Sequence, residues 1–489
     1  MGSGGDFLKF IKDNYLIFLI FALGLVLRIY NLSAESIWFD EAFSVMVSKK
    51  GAFELINSVL NNAGEKNPPF YYLLLHFWVL VFGDSEFSLR FLSVIFGSVS
   101  IIAIYALGKL LFNKRTGIIA ALIIAVSVFQ IQYSQEVRAY ALVALLSIIS
   151  YHSLIKLTSR RSITYSVLYL VSSILMLYTH YYGLFVIVAQ NIFCLTLFLK
   201  QRKTGEISLK RWISLQLILV IAFIPGLMHL LIMKVSMDKS FWIEEPTLEL
   251  LGQYLVIYSG NVYLLVLFVI FILIVLIGLR WISSVPGLNR VFKTKEDNNT
   301  EPGISSGYRV YLLLLWFSVP ILIPMLISII STPMFVARYA ITVTLAYYLL
   351  ASRGIDSLRN RWAVLTIGAI ILIFSTVNIN AYYNNTYKHQ WREVMSEIEN
   401  SAGYGDIIVV HPTHEQTSAK YYKTRDDITL IPMPNRFPTF KNLGTRSVWV
   451  VMHAHPTNRK LIRDGLSGTY NFELEKHFEK LDLFRLRHK

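Results

Sequence analysis

One cysteine, Cys194, stands in 489 residues, and it sits within an apolar run. That excludes a disulfide framework and any cysteine-rich metal site. Charge is scarce as well. Only 16% of residues are Asp, Glu, Lys or Arg, while 54% are hydrophobic. Soluble domains carry about a quarter charged residues, so most of this chain partitions into lipid. Acidic groups are the scarcer sign, 31 against 46 basic, for a net charge of +15. A basic surplus invites a nucleic-acid reading, but here many Lys and Arg cluster in short loops between apolar runs. That is the topological use of positive charge, and it points to no nucleic-acid partner. A small-residue cleavage site is also lacking after the first apolar run, Tyr15 to Tyr30, which therefore reads as a signal anchor. There is no internal repeat and no low-complexity tract.

A crossing of a hydrocarbon core needs roughly 20 apolar residues. The pattern gives eleven spans, at about 14–31, 87–112, 116–134, 138–157, 163–180, 182–200, 212–233, 260–281, 308–330, 337–352 and 362–381. The loops Lys114-Arg115, Arg160-Arg161, Lys200 to Arg211, Arg280 to Arg309 and Arg353 to Arg361 are basic. All fall on one side if the N-terminus is cytoplasmic. Asp40, Glu41, Glu65, Asp84, Glu86, Glu136, Glu244 and Glu245 then fall on the other. Pro69 to Phe82 is apolar but only about 14 residues long, which suits an interfacial or re-entrant helix. It belongs to a long external loop, 33–86. Loops of that length are usually functional. The linker Ile282 to Gly307 is polar and reads as a cytoplasmic loop.

The expected fold class is thus a multi-pass α-helical membrane protein of the plasma membrane, with a small C-terminal extracytoplasmic α/β domain. The membrane domain takes 1–383 and the outer domain 384–489. In the latter, Gln390 to Glu399 has helical spacing. Asp406 to His411 and Val448 to Met452 read as buried strands, with Ile428 to Ile431 a weaker third.

Polar residues concentrate on the external side. Asp40 and Glu41 follow the first span directly, flanked by Trp38, Phe39 and Phe43. Adjacent like charges at a membrane boundary are costly, so they need a reason. Capping of a juxtamembrane helix is one reason, and a general base is another. Lys66-Asn67-Pro68-Pro69 opens the short apolar segment, the diproline fixing a helix start. Ser134-Gln135-Glu136-Val137-Arg138 forms one external turn. His180-Tyr181-Tyr182 forms another, a composition that an interfacial aromatic belt also gives. Ala337-Arg338-Tyr339 opens a third. Together they have the composition expected of a concave site at the outer interface. Arg138, Arg338 and Lys66 suit a lipid-borne phosphate. A carboxylate suits deprotonation of an acceptor hydroxyl.

Four motifs carry a family resemblance. They are Trp38-Phe39-Asp40-Glu41, Asn67-Pro68-Pro69-Phe70-Tyr71-Tyr72 with Phe87-Ser88-Leu89-Arg90, Tyr133 to Tyr140, and Ala337-Arg338-Tyr339. In this order they resemble the GT-C membrane glycosyltransferases, among them the protein O-mannosyltransferases and the lipid A aminoarabinose transferases. The resemblance implies a polyprenyl- or dolichyl-phosphate sugar donor and inversion at the anomeric carbon. It implies Asp40 as the catalytic base, with Glu41 its neighbour, Lys66 on donor phosphate and Glu136 as a second external carboxylate. In this chain Asn67 separates Lys66 from the diproline. With Arg138, Arg338, Tyr339, His180 and Tyr181, these make the candidate site. The acceptor stays open between a lipid, a glycan and a protein.

A non-enzymatic flippase for lipid-linked sugars and an oligosaccharide ligase are the competing functions. Transporters usually carry repeats and midplane charges, and neither is present. No cofactor is required. The resemblance leaves open a divalent metal near the active site, with Glu65 or Glu136 as a ligand, but nothing in the sequence fixes one. His411-Pro412-Thr413-His414 and His453-Ala454-His455-Pro456 each follow an expected strand, so they reach one sheet edge. Four imidazoles there would suit zinc; acceptor contact or plain loop polarity is the commoner use.

Overall fold

The computed structural model describes residues 3–61, 67–200, 207–236, 243–278, 305–433 and 447–489. The chain forms two compact units. One comprises Met1–Tyr30, Ala52–Leu74 and Arg90–Tyr382, and the other Asn31–Gly51, Leu75–Leu89 and Tyr383–Lys489. The loop segments around Asp40 and Asp84 are therefore packed with the C-terminal region. A sequence boundary at 383/384 alone does not convey that.

The first unit is helical. Among the described residues, six helices are long and apolar enough to cross a membrane: Glu86–Leu111, Tyr140–Ser159, Gly183–Lys200, Leu209–Met233, Ser306–Ile330 and Arg361–Asn384. Two bent pairs raise the number to as many as eight. Asn14–Ile29, Phe70–Phe82 and Ile163–Thr179 are shorter apolar helices. The expected spans 163–180 and 337–352 rest on helices Ile163–Thr179 and Ile341–Asp356, shorter than a straight crossing of about 20 residues, whereas the expected span 14–31 lies in the longer helix Ser3–Ile29. Only 11% of the apolar window in Arg361–Asn384 is buried, against 83% in Tyr140–Ser159. Apolar surface exposed on that scale needs lipid rather than water. Residues 201–206 and 280–304 of the basic loops at 200–211 and 280–309 fall outside the described residues.

The expected span 116–134 is two helices, Lys114–Val126 and Val128–Ser134, bent by 62°. Ser127 makes the break: its hydroxyl accepts from the Gln130 N–H and bonds the Tyr348 hydroxyl at 2.9 Å. A serine side chain that replaces backbone bonding stops the first helix and caps the second. The break leaves carbonyls at the end of the first helix without helical donors. Arg28, fully buried, supplies them. Its guanidinium donates to Ile124 O at 3.0 Å, Ala125 O at 3.2 Å, Gly24 O at 2.9 Å and Ser134 Oγ at 3.1 Å. Gly97 permits this approach, since a Cβ there would lie 2.0 Å from Ser134 Oγ. Arg28→Met should orphan at least two buried carbonyls, at about 1–3 kcal/mol each. The expected result is a clearly lowered thermal midpoint for the protein in detergent; an unchanged midpoint would remove Arg28 from this role.

The second unit is built on a five-stranded sheet. Its strands are β1 (Ile407–His411), β2 (Thr429–Pro432), β3 (Ser447–His453), β4 (Tyr470–Phe478) and β5 (Leu481–His488), in the order β2-β1-β3-β5-β4. β1 pairs in parallel with β2 and β3, and β5 runs antiparallel to β3 and β4. Both faces are covered. Ile408, Val410, Trp449 and Val451 pack with Trp391 and Ile398 of helix Trp391–Ser401. Val409, Val448, Val450 and Met452 pack with Ile462 and Leu466 of helix Pro456–Leu466. Double coverage explains why β1 and β3 read as continuous apolar runs rather than alternating ones. The β4–β5 hairpin was not expected. It contains no Val, Ile or Thr, and its aromatics alternate with charged residues, so no continuous apolar run marks it.

Candidate functional site

In the first unit, the turn between Ser134 and Tyr140 divides its labour. Ser134 and Gln135 anchor structure: Gln135 Nε2 donates to Arg28 O at 3.0 Å and Tyr30 O at 2.8 Å, and Tyr382 donates to Gln135 Oε1 at 3.0 Å. The following residues, Glu136 and Arg138, are buried at 4% and 8% exposure. The Arg138 backbone is held by its own N–H, which donates to Glu136 O at 2.8 Å. The Ser93 hydroxyl reaches Arg138 O at 3.4 Å and bonds the Tyr71 hydroxyl at 3.0 Å. The diproline motif thus positions Arg138 through Tyr71.

Arg138 and Arg338 flank one aromatic cluster. Tyr140 and Tyr339 stack with ring centroids 6.3 Å apart and 28° between planes. The Arg138 guanidinium carbon lies 5.9 Å from the Tyr140 ring, and that of Arg338 lies 5.6 Å from the Tyr339 ring. His180 closes the cluster, 5.9 Å from Tyr140 and 5.1 Å from Tyr339. Tyr182 stands 5.8 Å from Tyr339 and donates to Met334 O at 3.0 Å. Tyr258 donates to Ala337 O at 3.1 Å. Two phenols therefore fix the backbone that carries Arg338. Tyr181 faces elsewhere: its hydroxyl bonds His229 Nδ1, and its ring approaches Phe223. Among the sequence candidates, Glu136, Arg138, His180, Arg338 and Tyr339 thus share one neighbourhood, with Tyr182 in the place expected of Tyr181. Lys66 and Glu65 lie outside the described residues.

Asp40 and Glu41 belong to the second unit, in the first turn of helix Phe39–Ser48. Asp40 is half-buried. Its backbone carbonyl accepts from Ser44 Oγ at 3.0 Å. Glu41 is fully buried, and its Oε2 lies 3.1 Å from Lys388 Nζ. The approach to this helix is fixed by side chains far along the chain. Ser36 Oγ donates to Glu393 at 2.8 Å, and the Tyr422 hydroxyl accepts from the Ile37 N–H at 2.6 Å and donates to Glu86. Arg392 spans Ser33 O, Ala34 O and Glu86 Oε2 at 3.0, 2.7 and 2.7 Å. Burial, and then the Glu86 carboxylate, push the Tyr422 phenol up, which keeps it a donor. Nothing in the residues around Lys388 or Arg392 signals these roles, since their partners lie more than 300 positions away.

Nearby in the same unit, His414 meets Phe39 edge-on, with centroids 4.8 Å apart. His453 follows in an edge arrangement at 6.4 Å, and His389 stacks on His453 at 4.8 Å and 14°. Glu415, 2% exposed, accepts from His453 Nε2 at 3.1 Å. Burial alone would raise the Glu415 carboxyl, but the His453 hydrogen bond and the imidazoles of His389, His453 and His414 hold it below the usual range. Burial pushes the His389 imidazole down. Of the four histidines expected at one edge, His411, His414 and His453 are grouped. His455 instead caps helix Pro456–Leu466, accepting from the Thr457 N–H at 3.3 Å. Among the described residues, one group of side chains has metal-ligand spacing, namely His389, Glu415 and His453.

A family model for dolichyl-phosphate-mannose-protein mannosyltransferases matches residues 66–229. No curated protein matches the chain. Among solved structures, the fold is similar to ArnT from Cupriavidus metallidurans bound to undecaprenyl phosphate. The TM-score is 0.60 at 11% identity, over 96% of this chain and 98% of that one. It is also similar to the oligosaccharyltransferase of Archaeoglobus fulgidus, at TM-score 0.51 and 12% identity over 97% and 73% of the two chains. Arabinofuranosyltransferase AftD from Mycobacteria matches at TM-score 0.50 and 12% identity, over 97% and 40%. The chain has the GT-C membrane glycosyltransferase fold that its motifs imply.

Proposed function

We propose that this GT-C-fold chain transfers a sugar from a polyprenyl- or dolichyl-phosphate carrier to an acceptor at the extracytoplasmic membrane face, with inversion. The observation that carries the reading is the pair of guanidiniums, Arg138 and Arg338, set over the stacked rings of Tyr140 and Tyr339. Two fixed forks in an aromatic, largely buried surround suit a phosphate that leaves with its electron pair. The acceptor oxygen bonds the anomeric carbon as the carbon–phosphate oxygen bond breaks. The hydroxyl proton goes to Asp40, the position that the family motif assigns to the base. Phosphate needs no protonation to leave, so one carboxylate is enough, unlike the pair in hydrolytic glycosidases. Glu41 serves by holding the helix through Lys388. The fold likeness to ArnT with undecaprenyl phosphate bound supports a lipid-phosphate donor. The same likeness supports a multi-pass membrane location, and the charge alternation supports an outer C-terminal domain.

The experiment is a panel of polyprenyl-phosphate sugars given to purified protein, with released polyprenyl phosphate as the readout. One sugar should release the carrier in an acceptor-dependent way. Movement of labelled lipid-linked sugar across vesicles with no carrier released would instead favour a flippase, and transfer of a preassembled glycan chain would favour a ligase. Arg138→Lys and Arg338→Lys each keep the charge and lose the fork. Each should raise the KM for donor about tenfold or more, the worth of one charge-assisted hydrogen bond. Donor titration at saturating acceptor measures this.

A further inference from the structure

We infer that His389, Glu415 and His453 form a binding site for one zinc-class transition-metal ion. The three residues come from separate elements. His389 stands two residues before helix Trp391–Ser401, Glu415 ends a 3₁₀ turn after β1, and His453 ends β3. β1 and β3 are parallel neighbours, so the two strand ends lie at one edge of the sheet. The ligand atoms all lie within 4.8 Å of one another. His453 Nε2 is 3.1 Å and His389 Nδ1 is 3.9 Å from Glu415 Oε1. A tetrahedral ion with bonds of about 2.0–2.2 Å sets its ligand atoms roughly 3.3–3.5 Å apart. The two glutamate–imidazole separations are within about 0.6 Å of that spacing, and the widest pair, at no more than 4.8 Å, has to close by up to about 1.4 Å, a change of imidazole rotamer.

The surroundings fit the same reading. Glu415 Oε2 is held by Trp391 Nε1 at 2.9 Å and Ser418 Oγ at 3.2 Å, which turns Oε1 towards the imidazoles. Outer hydrogen bonds of this kind orient metal ligands. His389 Nδ1 is buried and makes no hydrogen bond among the described residues. Lys480 is the cation that faces His389, and His414 is the remaining imidazole beside the group. Two imidazoles and a carboxylate select zinc-like ions over magnesium or calcium. Three protein ligands leave a fourth position open. An ordinary buried histidine–glutamate hydrogen bond would need neither the third ligand nor the oriented carboxylate. The ion would tie the segment entering this unit to the two central strands.

The test uses the full chain, purified in detergent, stripped with a chelator and titrated with Co2+ or Zn2+ alone. The expected result is one ion per chain, with the visible bands of four-coordinate Co2+. Ser418→Ala should weaken binding about tenfold, as loss of an outer-shell partner does, and His453→Gln by more than about 100-fold. Because His453 is close to the core, His389→Gln provides a second variant of the same expectation. Retention of no ion by the native chain overturns the proposal. So does equal retention by His389→Gln and His453→Gln. Neither readout involves sugar transfer, so the site and the proposed activity fail independently.

Discussion

Asp40→Asn should lower the turnover of purified protein by about 10²–10⁴-fold, the usual contribution of a positioned general base. Asparagine keeps the size and the hydrogen-bonding shape of the side chain but cannot accept the proton of the acceptor hydroxyl. Two effects compete in this variant, and their sizes decide the reading. Asp40 lies in the first turn of helix Phe39–Ser48, where a negative charge stabilises the helix end. That charge is worth about 0.3–1 kcal/mol. Loss of the base costs roughly 3–5 kcal/mol in the barrier. The protein should therefore stay folded and bind donor while transfer stops. Carrier release measures turnover, and thermal unfolding in detergent measures the fold. Turnover near that of the unaltered protein would take the base role from Asp40.

Much of this architecture is legible in the sequence, and the gaps have physical causes. Alternation of basic and acidic loops between apolar runs locates helices, because lipid tolerates little else. It does not locate bends. The break at Ser127 sits in apolar sequence and inside the expected span 116–134, so hydropathy passes over it. The break at Gly260–Asn261, which turns the helix axis by 93°, falls at the start of the expected span 260–281, and what hydropathy misses there is the helix Leu248–Ser259 before it. Gly260 has φ of +95°, and the Asn261 side chain caps the next helix at Leu264 N. Arg28 is hidden for a related reason: one cation at the end of a span reads as a snorkelling residue, whereas here it is fully buried. In the outer domain, β1 and β3 are legible by β-branched content. The Tyr470–Phe478 and Leu481–His488 strands are not, since they lack β-branched residues and charged side chains break their apolar positions into singles and pairs. The external motifs point to Arg138, Arg338 and His180 because those groups are unusual at a membrane boundary. His389, Lys388 and Glu415 look like ordinary polar residues until the fold buries them.

The adjacent acids are the clearest case of information that only packing supplies. Side by side, Asp40 and Glu41 look equivalent, yet one is half-buried and the other is sealed against Lys388. Lys388→Met should destabilise the protein by about 3–5 kcal/mol, because it leaves the Glu41 charge buried without its partner. The lost attraction is the smaller part of that cost; the stranded carboxylate is the larger. Removing both charges together, Lys388→Met with Glu41→Leu, should recover most of the loss, since well-packed apolar pairs often equal buried ion pairs. A double-mutant cycle on the thermal midpoint isolates the coupling. Equal destabilisation of single and double variants would mean the pair is not what holds this helix. The double variant keeps Asp40, so it also separates the two acids by function. If Glu41 acts only through position, stability and carrier release recover together; if transfer stays lost in a stable double variant, Glu41 takes part in the chemistry.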